Sequence, residues 1–187
     1  MTAAIYLAEG CRIYVLVVLL TAAWSKMFGF LRFRSSLAEA FPVLALRGSI
    51  GATVVAAGIV IGEWSAALLM LLGGALSRLG LVFALFLLLS LTLVVVLSLV
   101  QGRAIRCNCF GESDRRISKY DLVRNLVFVA VAAAGLLGVS YNAVSGTFGG
   151  LALQTYLPLG AVAVFFFLLS AGIHDIAGLL NARVDEP

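Results

Sequence analysis

Residues Leu79–Val100 read LGLVFALFLLLSLTLVVVLSLV, twenty-two positions without a charged side chain. About 20 predominantly apolar residues in a helix span a hydrocarbon core about 30 Å thick. Lipid offers no hydrogen bonds, so such a stretch must satisfy its own backbone, which a helix does. The whole chain agrees with this one segment. It has 187 residues, 63% of them hydrophobic and 12% charged, with a mean hydropathy of +1.12. Soluble domains carry roughly 45–50% apolar and about 25% charged residues. Half the usual charge cannot cover a water-exposed surface, so a soluble domain is excluded.

Working outward, four more apolar segments follow the same rule. They are Cys11–Leu31, with Lys26 near its end; Ile50–Leu72, which carries Glu63; Leu122–Val139, opened by Arg124 and Asn125; and Leu151–Ile173, with Pro158 and the Phe165–Phe167 run. The expected fold is all-α, a polytopic membrane helix bundle in one integral membrane domain over 1–187. No basic stretch precedes the first apolar run and no small-x-small site follows it, so it reads as a retained helix. Between the spans, Arg32–Arg47 suggests a short interfacial helix and Gly73–Arg78 a tight turn. Ser118-Lys119-Tyr120-Asp121 fits a capping box that starts a helix right after Ser118. Gly62-x-x-x-Ala66 and Gly51-x-x-x-Val55 allow close helix packing.

The net charge of +4 does not indicate nucleic acid, because the thirteen basic residues fall mainly in the connections. With five spans, one side holds Lys26, Arg32, Arg34, Arg47, Arg103, Arg106, Arg115, Arg116, Lys119, Arg124 and Arg183. The other holds Arg12 and Arg78. Eleven against two, by the positive-inside rule, puts the N-terminus outside and the Gln101–Asp121 loop in the cytoplasm of a plasma (inner) membrane protein.

Cys107-Asn108-Cys109-Phe110-Gly111 carries the chemistry. Extended positions i and i+2 lie about 6.6–6.8 Å apart, the upper edge of disulfide geometry, so a turn must bring the sulfurs together. So small a ring is strained, and strain makes a disulfide labile and suited to exchange. Arg103, Arg106, Arg115 and Arg116 lie within ten residues of the pair and favour thiolate. The alternatives are two unreactive loop thiols, or a metal site for which the loop offers no His and no second cysteine pair. Cys11 is expected near the outer face as a small buried thiol, too far from the loop to pair with it.

Glu63 lies about thirteen residues from the inner edge of its span, roughly 20 Å at helical rise. Ionisable groups at such depth are functional by default. It is expected to stay protonated, relay protons or hydrogen-bond a quinone; otherwise it bonds a Ser or Thr hydroxyl on a neighbouring helix. Lys26 sits one turn from the inner end, where snorkelling is the plain reading and a cationic rim with Arg124 the functional one. Their depths differ by roughly 14 Å on the same arithmetic, which argues against an ion pair between them. Arg124-Asn125 is placed to bond carbonyls of the cysteine loop, or Arg124 serves as a topology anchor. His174-Asp175 reads as a helix end, and the three Phe as lipid-facing bulk.

Lys26 in the first helix, Glu63 in the second, Cys107-Asn108-Cys109-Phe110-Gly111 after the third and Arg124-Asn125 opening the fourth resemble the methylamine utilisation protein MauE family, within the DoxX-like membrane proteins. The resemblance covers about residues 10–140. It implies a DoxX-like four-helix core, to which 151–175 adds a fifth C-terminal transmembrane helix. It also implies redox association and a thioredoxin-like or other redox partner, in support of maturing or supplying electrons to a partner such as methylamine dehydrogenase. Methylamine oxidation itself is not implied. The reading is thiol–disulfide exchange by Cys107 and Cys109, with Arg124, Asn125, Lys26 and Glu63 in support. A non-catalytic assembly or docking subunit is the alternative, and a small-molecule transporter a weaker one, since no paired broken helices appear. Cytosolic thiols are kept reduced, so either electrons enter at a cytoplasmic cysteine pair and leave across the bundle, or the chain is oriented against the positive-inside rule; the eleven-against-two count favours the first. Partner, electron acceptor and oligomeric state are not legible.

Overall fold

A computed structural model of the chain describes residues 2–41, 48–100, 119–142 and 153–184. The described residues form helices α1 (Thr2–Phe28), α2 (Phe30–Ala40), α3 (Gly48–Leu72), α4 (Gly74–Val100), α5 (Lys119–Asn142) and α6 (Leu153–Val184). Four contain apolar segments long enough to cross a membrane: Tyr6–Phe28, Ile50–Leu72, Gly74–Val100 and Lys119–Gly138. The protein is a multi-pass helical membrane bundle.

The first four expected spans are present with shifted edges, while the fifth falls in α6, whose apolar part is shorter than a span. α1 starts nine residues before Cys11 and takes in Glu9 and Arg12, which, one turn apart, form an ion pair of 2.6 Å and neutralise each other inside the helix. The α3–α4 turn is tighter than Gly73–Arg78. Gly73 and Gly74 take left-handed backbone (φ 75° and 57°) that side chains resist, and the helix resumes at once. α2 forms in the link where an interfacial helix was expected, and α5 begins at Lys119 as expected, with the proposed capping residue Ser118 outside the described residues. In α6 the apolar part is Gln154–Ser170, seventeen residues, while the helix itself continues through His174-Asp175 to Val184 instead of ending there. Phe165 and Phe166 are exposed as lipid-facing bulk, but Phe167 is buried.

α1, α3, α4 and α5 close a ring in which each packs on two neighbours, and α6 lies outside it against α1 and α5. Without a hydrophobic drive between helices in lipid, close approach is set by small residues. Ala66 is fully buried, as its motif suggests, and Gly62 faces Leu87. The tightest contacts fall elsewhere. A Cβ at Gly80 would sit 2.8 Å from Met70 Cγ and 2.9 Å from the Ala66 carbonyl, and one at Gly138 2.8 Å from Ala8 Cβ. A core of Val15, Val18, Leu19, Met70, Leu81, Leu88 and Phe128 fills the ring.

Candidate functional site

Lys26 and Glu63 are both fully buried, and Lys26 Nζ donates to Glu63 Oε1 in an ion pair between α1 and α3. This corrects three expectations: the pair forms, Lys26 does not snorkel to the headgroups, and it joins no exposed rim with Arg124. Counting residues located the Cα atoms but ignored the side chains. A helical Cα–Cβ bond tilts toward the helix N-terminus. α1 and α3 run antiparallel, so Lys26 leans toward the bundle centre and Glu63 leans down to meet it. α2 closes the site from below. The chain turns at Gly29, whose amide bonds the Ser25 carbonyl (2.9 Å), and re-enters as an amphipathic helix. Phe33 and Leu37 pack against Ala56 of α3, and Lys26 Nζ lies 5.5 Å from the Phe33 ring centroid, a cation–π contact. Glu63 Oε2 is buried without a hydrogen-bond partner, so the carboxylate has accepting capacity left over.

The other supporting residues lie at the same end of the bundle. Gly138 meets Ala8 and Gly135 meets Cys11, an antiparallel register that brings Lys26 level with Tyr120 and Asn125 level with Thr21. Asn125 is buried. Arg124 Nη2 pairs with Asp121 Oδ1 at 3.2 Å within its own helix, not with the Lys26–Glu63 pair. Cys107 and Cys109 lie outside the described residues; their segment joins Val100 of α4 to Lys119 of α5, both at this end.

A second buried charged group was missed by sequence reasoning, which treated Arg12 as a connection charge. Arg12 pairs with Glu9 and also donates from Nη1 to the Met70 carbonyl and Ser77 Oγ, each at 3.4 Å. The Met70 carbonyl is in the last turn of α3, where backbone acceptors lack helical partners and a cation is favoured. Arg12 thus clamps α1 to the α3–α4 turn. The i, i+3 spacing of Glu9 and Arg12 was the available signal. Cys11 is a half-buried free thiol on the same helix.

An interior Lys–Glu pair contributed by the first two long helices is joined here to an α5 that opens with Arg124-Asn125. That order of features follows a known family, and the model of the methylamine utilisation protein MauE matches residues 4–138. The chain belongs to the MauE family. The MauE match covers the whole α1–α5 ring apart from its ends and stops before α6. Within the MauE region lie Lys26, Glu63, Arg124, Asn125 and both loop cysteines. No curated protein and no solved structure matches the chain.

Proposed function

We propose that this MauE-family protein carries out thiol–disulfide exchange at Cys107 and Cys109, in support of a methylamine-utilisation partner. The observation that carries the reading is the fully buried Lys26–Glu63 ion pair at the end of the bundle to which the cysteine segment is tied. A buried ion pair is seldom more stable than the apolar residues that could replace it. In a membrane span, ionisable residues mark function. In the exchange step a thiolate of a thioredoxin-like partner attacks the Cys107–Cys109 disulfide and forms a mixed disulfide. The partner's second thiol then displaces it. The partner ends as a disulfide, and the cysteine pair gains two electrons and two protons.

The distribution of basic residues supports a cytoplasmic site for this step, with the N-terminus outside a plasma membrane. Removing buried Lys26 and Arg12 from the eleven-against-two count leaves ten against one, so the bias survives. The test is labelling with a membrane-impermeant maleimide in intact cells and in opened vesicles, with and without reduction. Labelling of Cys107 and Cys109 only after opening and reduction is expected. Labelling in intact cells would reverse the orientation, and thiols that never oxidise would point to a docking subunit without chemistry. Either single Cys→Ser variant should trap the exchange at the mixed disulfide or stop it; full activity in both would sink the reading.

A further inference from the structure

A groove of about 530 Å³ opens sideways between α1, α5 and α6, away from the Lys26–Glu63 pair. Its walls include Leu7, Val131, Leu159, Val162 and Phe166, and no charged residue lines it among the described residues. Its polar groups are few. Half-buried Cys11 is in the wall, and Tyr14 OH donates to Ser170 Oγ at 3.2 Å while Ser170 Oγ donates to the Phe167 carbonyl at 2.7 Å.

We propose that this groove holds one acyl chain of a membrane phospholipid. Along α6 the lining runs from Leu159 to Ser170, roughly 16 Å at helical rise. Half of a hydrocarbon core about 30 Å thick is about 15 Å, the depth of a single leaflet. The groove begins at Tyr6 and Leu7, where α1 enters its apolar segment, and Tyr6 is 41% exposed, as suits an aromatic at the headgroup boundary. It ends at Tyr14 and Ser170, whose hydroxyls are engaged with each other and with the backbone, so the inner end demands no polar ligand. Spread over its length, the volume gives a mean cross-section of roughly 32 Å². A single extended hydrocarbon chain fits a groove of this length and section. The described lining offers no charge to draw a headgroup inward, so the headgroup stays at the membrane surface and only the chain enters. One wall is α6, beyond the matched 4–138 region, so the site is an addition to the family core.

The test uses the full chain with Cys107→Ser and Cys109→Ser, which makes Cys11 the only thiol and keeps the result independent of the exchange reading. Native mass spectrometry after extraction in a delipidating detergent should show one retained phospholipid per chain. Ala163→Phe and Val162→Trp, the second at a half-exposed position that tolerates bulk, should each lower retention severalfold. Maleimide should modify Cys11 severalfold faster after delipidation and slow again when phosphatidylethanolamine vesicles are returned. A retained mass that is not a phospholipid, undiminished retention in both groove variants, or a Cys11 rate indifferent to lipid would overturn the proposal. So would Cys11 protection that tracks dimerisation instead of lipid.

Discussion

Lys26 and Glu63 are both fully buried, so neither charge is tolerable without the other. Breaking a buried pair by removing one partner costs about 3–5 kcal/mol, while replacing both with apolar residues is often neutral. Lys26→Met alone should therefore destabilise the bundle by about that much in a thermal or denaturant melt. Lys26→Met with Glu63→Leu should recover most of the loss. Recovery of stability without recovery of disulfide exchange would separate the pair's functional role from its packing. At the other end, Arg12→Met strands the Glu9 carboxylate and the Met70 carbonyl together. A loss of about 3 kcal/mol or more in the same melt is expected, and Arg12→Lys should restore only part, because an ammonium cannot fork to both partners. Unchanged melting of Arg12→Met would mean the clamp is idle.

Between helices, the decisive contacts are backbone approaches. A Cβ added at Gly80 would lie 2.9 Å from the Met70 amide nitrogen, and that neighbour is backbone that cannot swing away. Gly80→Val should push α3 from α4 and cost about 1–3 kcal/mol, the range for overpacking. Gly62→Ala, which would meet only Leu87 and Phe83 side chains at 3.5–3.6 Å, should be close to neutral in the same assay. α2 makes a different contribution. Its apolar face covers Lys26 through Phe33, so Phe33→Ala should open the pair to water. Faster hydrogen exchange in the Met27–Leu37 stretch, with α4 unaffected, is the expected readout. The existence of α2 was legible in the link's sequence, but its role as the floor of the site was not. That role depends on the turn at Gly29 and on which face α3 presents.

For the whole molecule, the four-helix ring holds the candidate site and α6 is attached to one flank. A chain truncated after Asn142 should still insert and keep the Lys26–Glu63 pair, while losing the lateral groove. Retained exchange activity with lost phospholipid would be the matching pair of results; loss of the ring's thermal transition would show that α6 is integral to it. Apolar run length and interrupting polar links determined, from sequence alone, that this is a membrane helix bundle and where its four long spans lie, because lipid admits few alternatives to the helix. The order of Lys26, Glu63, the cysteine motif and Arg124-Asn125 also sufficed to indicate the MauE family. Only the tertiary structure decided which charges meet. Residue counting fixes depth along an axis, but the lean of side chains on antiparallel helices, the cover supplied by α2 and the rotation of each helix determine contact. Those are properties of packing, and they paired Lys26 with Glu63 across a depth difference and drew Arg12 inward from the connection to which counting had assigned it.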